Sequence, residues 1–124
     1  MQNIKSFEQF NENENVNYKY GDIITSKDML KYIEQNKLRN SFGIINDYND
    51  MKEIAYASEF WKLEYVDLNN FEWIADKTFK NKSIKAYPIV LKIDNYYDVL
   101  DGKHRIGMYK EMGIEKMLMW VGGL

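Results

Sequence analysis

Residues 87–121 carry the pattern that most constrains the fold, because strand, turn and helix signals follow one another there without interruption. Two runs rich in aliphatic and aromatic residues, 87–93 and 96–100, have the composition of β-strands. Between them stands the pair Asp94-Asn95, which favours a tight turn. We therefore predict a β-hairpin over this part of the chain.

The chain continues from this hairpin into a helix and a last strand. Asp101-Gly102 ends the second run, residues 103–112 are predicted to be helical, and Gly113 is placed to end that helix. Residues 117–121 form an apolar run of the kind found in buried strands. Hairpin, helix and strand in this order predict a small mixed α+β fold.

The first half of the chain predicts two helices and one strand. Apolar residues recur at helical spacing over residues 26–38 and 48–60, and Ser58 and Trp61 belong to the apolar face of the second helix. The run at 63–68 is rich in β-forming residues and predicts a strand.

The first helix has two alternative N-caps. Thr25 followed three residues later by Asp28 resembles a capping box, and Ser26 is an equally good capping residue. The sequence does not decide between them.

The remaining stretches set the limits of the domain. Residues 1–20 are rich in Asn and Glu and predict a mobile or irregular arm, and the polar residues 76–85 predict a solvated loop. We expect one domain over 21–124, with a helical half at 22–60 and a core at 61–124.

Composition excludes several classes of function. The 124 residues include no cysteine, which excludes a disulfide framework, a thiolate metal site and a cysteine nucleophile. A net charge of −2 disfavours sequence-independent binding to nucleic acid, although it leaves room for a local basic cluster. No apolar run is long enough to cross a bilayer, and the first residues lack the apolar segment of a signal peptide. We therefore expect a cytoplasmic protein with no membrane partner.

The candidate site is the run Asp101-Gly102-Lys103-His104-Arg105, where a strand gives way to a helix. The first turn of a helix carries unpaired N–H groups and the positive end of the macrodipole, so acidic residues are favoured there. This chain instead places three basic residues in that turn, with Asp101 as the expected N-cap. An anion would relieve the unfavourable charge, so the residues predict a phosphate site.

Each residue type suits that role. Gly102 would let a ligand approach the backbone, Lys103 supplies a point charge, and Arg105 can hold a phosphate through two N–H groups. His104 can donate or shuttle a proton near neutral pH.

A structural interpretation of the same residues stays open. Lys103 could be solvated, His104 could be a hydrogen-bonded structural residue, and Arg105 could pair with Asp98 or Asp101.

The same segment is similar to a known family in the order of its elements. The matching positions are Pro88-Ile89-Val90-Leu91, Tyr97-Asp98-Val99-Leu100-Asp101-Gly102-Lys103-His104-Arg105-Ile106-Gly107, Gly113 and Val121. They resemble the core of the ParB/sulfiredoxin-like superfamily, in which a P-I-V-V strand pairs with a Y-x-V-I-D-G strand and a D-G-x-H-R turn opens a short helix. The resemblance covers residues 87–121 closely and 63–121 loosely.

The resemblance implies a nucleoside triphosphate at this turn, with ATP or CTP and Mg²⁺ as the cofactors. The phosphate contacts that it implies come from Gly102, Lys103, His104 and Arg105. It implies no metal ion held by the protein alone.

The resemblance also implies catalytic roles. Asp101 stands where the free serine kinases of the superfamily have their catalytic base, and His104 is the second candidate catalytic residue. An acid on the first strand of the core, Glu64 or Asp67, would assist. Sulfiredoxin activity is excluded, because Lys103 stands where those enzymes need a cysteine.

Three classes of function follow. The first is phosphoryl transfer or hydrolysis of a bound nucleoside triphosphate. An alternative is a non-catalytic nucleotide-sensing or protein-interaction module, with residues 22–60 contacting a protein partner. The third is a nuclease or DNA-binding regulator, which the net charge disfavours. The first residues resemble the start of many small tailed-phage proteins, which favours a phage accessory or anti-host role within a host cytoplasm.

Overall fold

A computed structural model describes residues 18–36, 39–40, 43–44, 48–72 and 86–123 of the chain. In chain order the elements are β1 (Ile23–Thr25), α1 (Ser26–Asn36), β2 (Arg39–Asn40), β3 (Gly43–Ile44), α2 (Tyr48–Ala55), β4 (Phe60–Asp67), a short 3-10 helix (Leu68–Asn70), β5 (Ile89–Ile93), β6 (Tyr96–Asp101), α3 (Lys103–Glu111) and β7 (Lys116–Gly122). The predicted α+β class is confirmed. The helices of the described residues are all too short or too polar to cross a lipid bilayer.

Five of the strands form one mixed sheet in the order β1-β4-β7-β5-β6. Neighbouring strands are antiparallel except β5 and β7, which are parallel and are connected through β6 and α3. β2 and β3 form a separate two-stranded ribbon. The late strand β7 therefore joins the two halves of the sheet, because it lies between β4 and β5.

Each face of the sheet carries its own cluster of buried residues. The face covered by α1 and α2 buries Met29, Ile33, Ala55, Trp61, Leu63, Ile89 and Trp120. The opposite face, covered by α3, buries Val66, Val90, Ile106, Met119 and Val121. Fully burying one such side chain stabilises a fold by roughly 1.5–3 kcal/mol, so both clusters contribute strongly.

The C-terminal part of the prediction is confirmed. The hairpin turns at Asp94, whose φ of 51° suits a tight turn, and α3 is followed by Gly113 with a φ of 84°. The first helix is also confirmed over Ser26–Asn36. Its cap is Thr25, whose hydroxyl accepts from the Asp28 N–H at 3.2 Å.

The predicted helix over 48–60 is wrong beyond Ala55, and Ser58 and Trp61 do not belong to it. The Trp61 indole donates to the Ala55 carbonyl at 2.9 Å and so satisfies an oxygen at the end of α2. Ser58 is buried instead in the following bend, where its hydroxyl donates to the Phe60 carbonyl at 2.7 Å. Pairing with β1 then draws this segment into β4, which begins three residues before the predicted strand.

Some predictions lie outside the described residues. They are the arm over 1–20 apart from its last three residues, the last two residues of the helix over 26–38, and the loop over 76–85.

Candidate functional site

The candidate turn begins where β6, an edge strand of the five-stranded sheet, ends. Asp101 lies opposite Ile89 in the sheet, and Ile89 lies opposite Trp120 of β7. The next residue, Gly102, is the N-cap of α3 and has a left-handed backbone with φ 96° and ψ 17°. The prediction that Asp101 is the N-cap is therefore wrong.

Gly102 is required by its surroundings as well as by its φ. A Cβ at this position would lie 2.8 Å from the Pro88 Cβ and 2.9 Å from Nη2 of Arg105. Pro88 and Arg105 thus occupy the side of the turn where the sequence suggested that a ligand approaches. The glycine allows close packing of α3 against the start of β5.

Asp101 and Arg105 form a buried ion pair one helical turn apart. Nη2 of Arg105 donates to Oδ2 of Asp101 at 2.8 Å. Arg105 is 9% exposed and Asp101 is 2% exposed. Nη1 of Arg105 donates to the Ala86 carbonyl. Of the two partners that the sequence left open for Arg105, the structure selects Asp101, whereas Asp98 is exposed on β6.

Burial has the largest influence on the pKa of Asp101. It raises the pKa of this carboxyl to about 6, and the Arg105 guanidinium and the Gly102 N–H act in the opposite direction. Oδ1 is buried and has no hydrogen-bond partner among the described residues. One guanidinium therefore offsets only part of the cost of burying this carboxylate.

The first turn of α3 carries basic residues and follows Gly102, an N-cap residue without a side chain that could cap the helix. No acidic residue lies in this turn, and no side chain of the described residues caps it. Lys103 is exposed and His104 is half-buried. The fold therefore places the basic residues at the positive end of a helix, as the sequence predicts.

The segment that faces this turn, from Ala86 to Pro88, is anchored by residues that the sequence did not single out. The Tyr87 N–H donates to the Tyr32 hydroxyl at 2.7 Å, and the Trp120 N–H donates to the Pro88 carbonyl at 2.8 Å. These contacts join residues far apart in the chain, so no local pattern could have revealed them.

The two candidate assisting acids do not reach the turn. Glu64 and Asp67 lie on β4, and β7 and β5 separate that strand from β6. Three strand spacings place both of them at least about 14 Å from Asp101. Asp67 also has a structural role, because its Oδ1 accepts from the Asn69 N–H at 2.9 Å and caps the 3-10 helix.

The described residues at the turn do not form a Mg²⁺ site. Its only carboxylate, that of Asp101, is buried against Arg105. Across the described ranges no group of three or more His, Asp or Glu side chains could hold a metal ion. We therefore assign no chemical step to Mg²⁺.

Comparisons with protein-family models, with curated proteins and with solved structures found no match for this chain. Membership of the ParB/sulfiredoxin-like superfamily therefore stays a prediction.

Proposed function

We propose that the turn from Asp101 to Arg105 binds the phosphate groups of a nucleotide at the start of α3. One observation carries this proposal: the helix begins with three basic residues, and the acid that precedes them points to Arg105 and does not cap the helix.

The electrostatics of a helix start support an anion at this position. The first N–H groups of a helix have no partner within it, and the macrodipole places about half a positive charge there. Each cation in that turn costs about 0.3–1 kcal/mol, and a bound anion turns this repulsion into attraction. A phosphate group provides the negative charge and several acceptor oxygens.

The proposal gives each residue a role that its position allows. Lys103 is exposed and contacts the phosphate as a point charge, and His104 donates a hydrogen bond. Gly102 sets the path of the backbone, and Arg105 contributes its backbone N–H. The Arg105 guanidinium, which the resemblance assigns to phosphate, acts here as a positioning group through Asp101 and Ala86.

Binding without turnover is the form of this function that the geometry supports best. A catalytic base must reach the proton that it removes, whereas Asp101 is 2% exposed and faces Arg105. Phosphoryl transfer by Asp101 and His104, with Mg²⁺ carried in by ATP or CTP, stays a prediction. If the wild-type protein released a nucleoside diphosphate and Asp101→Asn did not, this result would favour phosphoryl transfer.

A thermal-shift panel tests the binding proposal. ATP, CTP, GTP and their diphosphates, each with and without Mg²⁺, should raise the Tm of the full chain. A ligand at about 100 times its Kd adds about 2.7 kcal/mol of stability. A panel in which no phosphate-bearing ligand changes the Tm would contradict the proposal.

A pair of lysine variants locates the site. Lys103→Gln should weaken binding by about tenfold, because it removes a charged contact. Lys116→Gln is the matched control, since Lys116 is also exposed but lies at the opposite end of β7 from Trp120. Equal losses of affinity in the two variants would show that the ligand binds at another position.

A further inference from the structure

The Asp101–Arg105 pair lies within the turn that the proposed function uses, and its net charge depends on one proton. We propose that this pair makes anion binding at the start of α3 depend on pH, with affinity rising as Asp101 takes up a proton. This inference rests on the proposed function and concerns the regulation of the same site.

The geometry couples Asp101 to the turn. Its Oδ2 is 2.8 Å from Nη2 of Arg105, and Arg105 belongs to the first turn of α3. Both side chains are nearly excluded from water, so the carboxylate offsets the guanidinium with little screening.

Protonation of Asp101 would change the charge of the turn by one unit. Arg105 keeps its charge, because a guanidinium is not deprotonated in proteins. The positive charge that the carboxylate had offset then adds to the charge of Lys103 and to the helix dipole. An anion at this helix start is attracted more strongly when Asp101 is neutral.

The titration of this carboxyl falls in an accessible pH range. Burial raises the pKa of Asp101 to about 6, so the charge changes just below neutrality. The unpartnered Oδ1 agrees with a carboxyl that is only partly compensated when it is ionised.

Other titratable groups lie around the pair within the described residues. Tyr32 faces Arg105 from α1, and Tyr109 faces it from α3. Burial raises the pKa of both hydroxyls, so they stay neutral. Lys103 and His104 adjoin the pair in the first turn of α3. The experiment must therefore observe Asp101 itself.

Carbon-13 NMR of the uniformly labelled full chain provides that observation. The Cγ shift of Asp101 is followed between about pH 4 and pH 8, without sulfate and with saturating sulfate. Sulfate mimics phosphate, and its own charge is constant over this range. The exposed carboxyl of Asp98, on the same strand, reports any effect of sulfate that is not specific to the site.

The expected result is that sulfate raises the midpoint of Asp101 by about one pH unit. By linkage this equals about tenfold tighter sulfate binding at the acidic end of the titration. The wild-type chain is used throughout, so the test does not depend on the folding of a variant.

Two other results overturn different claims. Sulfate that shifts the amides of residues 103–105 but leaves the Asp101 midpoint unchanged would contradict the pH coupling and leave the proposed function standing. Sulfate that shifts none of these amides at any pH, up to its solubility limit, would contradict the proposed function itself.

Discussion

The starts of α1 and α3 differ in how the first turn of each helix, with its unpaired N–H groups and positive dipole, is capped and charged. At α1 the Thr25 hydroxyl caps the helix, and Asp28 places a negative charge in the first turn. At α3 a glycine precedes three basic residues, and no side chain of the described residues caps them. The start of α1 therefore has a local cap in addition to the hydrogen bonds that Ser26 donates to the Ser58 and Glu59 carbonyls. The start of α3 instead has basic residues in its first turn and is held by the Arg105 side chain.

Specific contacts hold α3 in place. Arg105 holds Asp101 and the Ala86 carbonyl, and Lys110 donates to the Phe71 carbonyl. Ile106 packs in the cluster beneath the helix. A helix start held in this way can tolerate unfavourable local charge, and that tolerance is often associated with function.

The largest expected effect comes from removing the guanidinium that holds the start of α3. Arg105→Met leaves the buried Asp101 carboxyl and the Ala86 carbonyl without their partner, and should cost about 3–5 kcal/mol of unfolding free energy. Lys31→Met, at an exposed position of α1, is the control and should change stability by less than about 0.5 kcal/mol. Urea unfolding of both variants gives the comparison, and a similar small loss in both would contradict the role of Arg105.

The next largest loss of stability is expected from substituting Gly102, the N-cap residue of α3. Gly102→Ala should cost about 3 kcal/mol, because it adds both backbone strain and a clash with Pro88. Gly113→Ala has a similar positive φ but no atom within 4 Å of the added Cβ, and should cost about 1–2 kcal/mol. Equal Tm losses would mean that close packing of Pro88 does not hold the turn.

The two helix starts should also differ in pH dependence, because Asp101 beside α3 makes the unfolding free energy depend on pH. The pKa of Asp101 is about 6 in the folded chain and 3.8 as its ordinary value, so between these pH values the folded protein holds a proton that the unfolded chain lacks. The contribution of Asp101 to the unfolding free energy therefore rises as pH falls through this window, by up to about 3 kcal/mol.

Asp101→Asn removes this contribution and is the matched protein. The difference in unfolding free energy, wild type minus variant, should increase from about pH 7 to pH 4. A difference that is flat or decreases toward acid would show that the pKa of Asp101 is not raised by folding.

The smallest effect is at α1. Thr25→Ala removes the capping hydroxyl and should cost about 1 kcal/mol, whereas Thr25→Ser keeps the hydroxyl and should restore most of it. Chemical denaturation of the three proteins checks this. No loss in Thr25→Ala would show that α1, like α3, is held by its tertiary contacts.

The sequence predicted those parts of the fold whose signals are local. The turn at Asp94, the helix after Gly102 and its end at Gly113 depend on neighbouring residues, and all three are confirmed. The end of α2 was wrong because it depends on the Trp61 indole, which reaches back from the next strand.

At the candidate site, too, features with local signals could be predicted, whereas features that depend on tertiary contacts could not. The cationic first turn of α3 could be predicted, because it needs only the order of Gly102 to Arg105. The orientation of Asp101 could not, because the choice between capping α3 and pairing with Arg105 depends on how deeply α3 buries them. The contact of Pro88 with Gly102 is also a product of the sheet and has no sequence signature.

Binding of nucleotide phosphates at the start of α3, as we propose, can be tested at individual residues. The most direct measurement is a titration of the nitrogen-15-labelled chain with ATP, observed at the backbone amides. We expect the amides of Lys103, His104 and Arg105 to shift most and reach saturation, while that of Asp28, at the capped start of α1, stays unchanged. Saturating shifts confined to other residues, or no shift at residues 103–105, would contradict it.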